Sequence, residues 1–191
     1  MTKVEIFNSC FTELGLKRVS SDDENDKCLA LDAIWNVTRD EALIEHDWQF
    51  ATNIQVLVQP SGVDNYTGYD YVYQLPTDPH CLKIQTLMDD DYDELPSEEY
   101  KVMQRYIYTD LEDAYLKYTF RNDELNDWSP TFCVYFAYLL AAKAAMKLVQ
   151  SDQVEKDMYA LAELYKRKAM YAEEDERFVD SEGDSLWVDN R

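Results

Sequence analysis

The chain has 191 residues, 39 acidic and 18 basic, for a net charge of −21 at neutral pH, which argues against affinity for nucleic-acid phosphates or an anionic membrane surface. With 4 Gly and 5 Pro the composition favours long regular elements over a turn-rich sandwich. The length is read as one domain, able to bury roughly 70% of the surface its unfolded form exposes.

In chain order, Val4, Phe7, Phe11 and Leu14 recur at helical spacing, and Gly15 follows where a left-handed residue ends a helix, which predicts a first helix over 3–14. Ser21 and Glu24 match a capping box, and Cys28, Leu31, Trp35 and Ala42 mark one face of a second helix over 22–46. In HDWQFAT helix gives way to strand. Ile54, Val56 and Val58 then alternate with Gln55 and Gln59 at the period of a half-buried strand. Pro60 to Gly68 is a polar loop broken by Gly62, Asn65 and Gly68, an exposed hairpin tip. Alternation returns in YDYVYQLP, CLKIQTL, YKVMQRYIYT and AYLKYTFR, so residues 49–121 read as an antiparallel meander interrupted by the acidic loop DDDYDELPSEE.

The most apolar stretch is WSPTFCVYFAYLLAAKAAMKL, from Trp128 to Leu148. Ser129 followed by Pro130 is a helix start. A membrane span needs ~20 apolar residues, and Lys143 and Lys147 interrupt this one early, so a helix over 130–149 is read as the core of a bundle. Val154, Met158, Leu161, Tyr165, Ala169 and Ala172 line a last helix over 152–177, packed antiparallel to it across a short turn. Residues 179–191 read as a flexible acidic tail in which Leu186, Trp187 and Val188 are unexpectedly apolar. The predicted fold class is α+β, mainly α: one domain over 1–178, an antiparallel helical bundle with a small antiparallel β-meander inserted between the second helix and the core helix.

Little in the chain points to chemistry. Cys10, Cys28, Cys81 and Cys133 lie far apart with no Cys-x-x-Cys pair and read as buried, reduced thiols. MTKVEIFNSC has no apolar run of signal-peptide length. Asp89, Asp91 and Asp93 alternate like the opening of a calcium loop, but Glu94 stands where glycine is needed and Tyr100 where glutamate is needed. His46 and His80 are too few for a zinc site, and no nucleophile or phosphate-loop motif occurs. The expectation is therefore no catalytic residue, no cofactor and no metal. Fifteen tyrosines supply apolar area with a polar tip, suited to protein contacts or to strands.

HDWQFA, YQLPTDPHCLKI, the strand ending in TFR, WSPTF opening an alanine-rich helix and the C-terminal SLWVDNR occur in an order that resembles the tail tubular protein A family, the head–tail adaptors of short-tailed, podovirus-type phages. The resemblance covers nearly the whole chain, departing at Pro79-His80-Cys81 and in the acidic DDDYDELPSEE. It implies a virion protein made in the host cytoplasm and located in the neck and tail. It also implies a homo-oligomeric, dodecameric ring between the portal protein and the tail nozzle protein, through which DNA passes without specific binding and which needs no membrane. On this reading Leu186, Trp187, Val188 and Arg191 form the portal interface, and Asp64, Asn65 and Tyr66, at the loop tip, the nozzle interface. A lytic hydrolase of the tail and an acidic DNA-mimicking inhibitor stay open as alternatives.

Overall fold

The structure, a computed structural model, describes residues 1–20, 25–63, 65, 67–97 and 99–182, with side chains described through residue 175. The chain divides into two compact units: residues 1–42 together with 123–191, and residues 43–122.

The first unit is helical. Helix α1 (Lys3–Glu13) opens on a reciprocal cap: the Thr2 hydroxyl accepts the Glu5 N–H, and the Glu5 carboxylate accepts the Thr2 N–H at 2.7 Å. It closes where Leu16 N–H bonds Phe11 O at 2.7 Å across Gly15, at φ +67°. Helix α2 (Asp26–Ile44) is capped by Asn25, whose Oδ1 accepts the N–H groups of Lys27 and Cys28 at 2.9 Å; the Ser21–Glu24 pair lies outside the described residues. Helix α3 (Pro130–Leu148) has Pro130 in its first turn, and the Ser129 hydroxyl accepts the Phe132 N–H at 3.2 Å. After a turn with Gln150 in the left-handed region, helix α4 (Asp152–Glu182) runs back along α3.

By length and composition α3 can cross a membrane, but most of its side chains are buried inside the protein. Its first turns enter an aromatic cluster. Phe136 meets Trp35 of α2 at 5.0 Å and Trp128 at 5.1 Å, both edge-on, while Trp35 and Trp128 stack at 6.2 Å and Phe7 of α1 meets Trp35 at 5.6 Å. Ala137, Ala141, Ala144 and Ala145 are all buried, and such small side chains let a neighbouring backbone come close.

The second unit holds six strands, and here the expected fold class needs correction. Strands β1 (Thr52–Val56), β6 (Tyr115–Phe120) and β3 (Cys81–Met88) form one antiparallel sheet in the order β1-β6-β3; β2 (Tyr71–Gln74), β5 (Tyr106–Thr109) and β4 (Tyr100–Met103) form another in the order β2-β5-β4. Only β4 and β5 are both consecutive and paired, so this is not a meander. Helix accounts for 45% of the chain and strand for 20%, which makes the fold mixed rather than a mainly helical bundle with one small meander. The physical reason is burial. Tyr73 and Ile107 from one sheet and Leu87, Leu116 and Tyr118 from the other share a single apolar core, so two sheets cover faces that one open meander leaves to solvent.

Phe136→Ala removes the ring common to Trp35, Trp128 and Phe132, and is expected to cost about 3–5 kcal/mol, a large share of a typical domain's stability. Chemical denaturation of the variant measures this; a midpoint close to that of the parent chain contradicts the central place given to the cluster.

Candidate functional site

The thiols are positioned as core. Cys10, Cys28, Cys81 and Cys133 are buried and unpaired with one another. Burial pushes the Cys10 thiol up to about 12 and those of Cys81 and Cys133 up to about 11, the wrong direction for a nucleophile. The Asp89 carboxylate is engaged by its own loop, accepting the N–H groups of Asp91 at 3.0 Å and Asp93 at 2.9 Å as an Asx turn does. Among the described residues, no group of three or more His, Cys, Asp or Glu side chains is placed to hold a metal ion.

Two surface features of the second unit remain. One is the loop between β1 and β2. Of its three predicted contact residues, Asp64 and Tyr66 lie outside the described residues. Asn65 is exposed, but its side chain is committed: Oδ1 accepts the Thr67 N–H at 3.1 Å and the Thr67 hydroxyl at 2.7 Å, and Nδ2 donates to Tyr69 O at 2.5 Å. Asn65 therefore shapes the tip. Leu186, Trp187, Val188 and Arg191 all lie outside the described residues.

The other feature is β1 with the segment that leaves it. A groove of about 200 Å³ lies between Gln55–Pro60 and Gln74–Asp78, where Gln74 N–H bonds Val58 O at 3.3 Å. Gln55, Gln59, Gln74 and Asp78 are among the residues that line it, and among the described residues no cysteine, histidine, lysine or arginine does, so it brings no thiol or imidazole for nucleophilic or general-base work. The Arg105 guanidinium holds one wall by donating from Nη2 to Pro76 O at 2.9 Å.

Strand β1 has the alternation read from its sequence, but its less exposed half is the polar one. Asn53 and Gln55 turn inward to the hydroxyl of Tyr118, which takes the Asn53 Nδ2–H at 3.1 Å and donates to Gln55 Oε1 at 3.0 Å. Ile54, Val56 and Val58 point out, with 49%, 48% and 69% of their surface exposed. Sequence reasoning missed this, although a signal exists. The sixteen residues from Trp48 to Val63 are the longest run without a charged side chain, followed by Trp128 to Ala142. The second run is buried core; the first lies largely at the surface.

No protein-family model matches the chain, and no curated protein matches it.

Two weak acids, buried Cys10 and half-buried Tyr138, set a pH limit. Burial, then the Glu13 charge, pushes the Tyr138 hydroxyl up to about 12 from an ordinary 10.0, and Cys10 rises to about 12 from 9.0. Both groups ionise more readily in the unfolded chain, so the stability they contribute is whole below pH 9.0 and is lost as the pH rises towards about 12. Denaturation midpoints should fall over that window, and Cys10→Ala should flatten the onset, below the range where Tyr138 takes part. An unchanged onset in Cys10→Ala contradicts the assignment.

Proposed function

We propose that the chain is a head–tail adaptor subunit of a short-tailed phage, a structural protein that forms a ring joining portal to tail nozzle and lining part of the DNA ejection channel. The observation that carries the proposal is the ordered series HDWQFA, YQLPTDPHCLKI, TFR, WSPTF and SLWVDNR along one chain. The described segments of that series sit where one element hands over to the next. Trp48 is fully buried between His46, at 4.8 Å, and Phe50, at 6.1 Å, and Asn122, just past TFR, donates its amide to Phe50 O at 2.7 Å. WSPTF supplies the cap of α3. These residues support a shared fold more directly than a shared contact. The surplus of acidic side chains supports the channel role, since a wall of the same sign as DNA lets it pass without sticking.

In this proposal Leu186, Trp187, Val188 and Arg191 anchor each subunit on the portal, and the loop tip at Asp64, Asn65 and Tyr66 faces the nozzle. Burying a tryptophan with two aliphatic neighbours contributes on the order of a few kcal/mol, offset in part by ordering the segment, and a ring multiplies the effect through effective concentration. Trp187→Ala is therefore expected to leave the melting temperature nearly unchanged while lowering co-sedimentation with portal rings at least about tenfold. Electron microscopy of the parent chain mixed with portal should show an added ring. Retention of full portal binding by the variant removes the anchor from the proposal; absence of any ring removes the adaptor reading itself.

A further inference from the structure

From the geometry of β1 we infer that the free chain forms a twofold pair in which the β1 strands of two copies join edge to edge, antiparallel, centred on Ile54. The inference rests on the second unit alone and is independent of the function proposed above. Isologous contacts close at two copies, so the pair is not the ring contact.

The row of backbone groups comes first. Leu57 N–H bonds Ala114 O at 2.8 Å, in the same register that sets Gln55 against Leu116 and Asn53 against Tyr118. Hydrogen-bonded pairs alternate along an antiparallel ladder, so residues 53, 55 and 57 turn their N–H and C=O groups towards β6, and residues 52, 54 and 56 turn theirs to the open edge. The Thr52 N–H is already taken by Gln49 O. Among the described residues, what remains open is the Thr52 carbonyl and both groups of Ile54 and Val56. About a twofold axis at Ile54 these match their own copies: Ile54 exchanges both bonds with Ile54, and each Val56 N–H meets the Thr52 carbonyl opposite. No donor in the row is left over.

Three of the four sheet edges have a device that discourages such pairing. Strand β3 carries Lys83 and two register shifts, β4 carries Lys101, and β2 is met at Gln74 by Val58 O. Strand β1 has a regular register and no charge, no proline and no bulge, and it presents Ile54 and Val56 half exposed.

The self-matching row selects a second copy as the occupant, and charge limits where that copy can approach. A second copy carries −21 as well, so most apposed faces repel, whereas the longest uncharged run of the chain includes this edge. The nearest cation on the exposed face is Lys117, opposite Ile54 on β6. In the pair the two Lys117 residues stand three strand spacings apart, roughly 14 Å, beyond the screening length of about 8 Å at physiological salt. Area sets the strength: five residues on an edge cover well under the ~800 Å² per partner of a standard interface, so the pair is weak and concentration-dependent.

The test is sedimentation of the intact chain over about a hundredfold range of concentration, with residue-resolved amide hydrogen exchange at both ends. The expected result is a monomer–dimer equilibrium in which the Ile54 and Val56 amides are protected at high concentration and open on dilution, while those of Asn53 and Gln55 stay protected throughout. Val56→Pro removes an outward donor without touching the β6 ladder, and Ile54→Lys places like charges face to face; each should weaken the dimer at least about tenfold with little change in melting temperature. A chain that stays monomeric throughout, or a dimer in which the Ile54 and Val56 amides remain open, overturns the inference. If either variant fails to fold, the exchange pattern of the parent chain still decides.

Discussion

The first unit depends on the need to bury α3 on nearly every side. From Phe132 to Ala142 it carries no charge, and leaving such a helix in water forgoes about 1.5–3 kcal/mol for each large apolar side chain. Trp35 and Trp128 close over its N-terminal turns, while α4 packs along it with Tyr165 stacked on Tyr138 at 4.7 Å, and Met158, Ala162 and Ala169 are among the buried residues of α4. Lys143, the first charge along the helix, pairs with Glu41 of α2 where the side chain nears solvent.

The second unit follows a different constraint. Its core contains hydroxyls, and a buried hydroxyl without a partner costs about 1–3 kcal/mol. Tyr73 donates to Leu111 O at 2.8 Å, and Tyr118 is satisfied by the two amides of β1. Turning Asn53 and Gln55 inward obliges Ile54 and Val56 to turn outward, because side chains alternate along a strand. Half-exposing two such side chains forgoes about 1–1.5 kcal/mol each. The two sides are of similar size, so apolar burial alone does not decide which face of β1 points in; the bonds to Tyr118 do.

That balance explains what was legible in the sequence. The start of α3 was plain because Ser129 and Pro130 act locally, through one hydroxyl and one fixed φ. Asn25 as the cap of α2 and Thr2 as the cap of α1 are equally local and went unread among other polar residues. Strand existence was legible from alternation. Strand partnership was not: β1 pairs with β6, more than fifty residues away, and nothing in either stretch names the other. The orientation of β1 was hidden for the same reason, since the polar group that fixes it belongs to a distant strand. Of the expected contact surfaces, the side-chain bonds of Asn65 depend on Thr67 and Tyr69, and a composition count sees only a polar loop.

Arg39 and Asp123 are bonded although they lie 84 positions apart, on either side of the stretch that forms the second unit. On the ribosome this separation becomes a delay. Helices α1 and α2 emerge first, with Phe7, Phe11, Leu31 and Trp35 prepared for a partner that follows only after residues 43–122 have been made. At about 5–20 residues per second that interval lasts several seconds, far longer than a helix takes to form. During it Trp35 has Phe7 beside it but neither Trp128 nor Phe136, so the first unit closes last although it begins first.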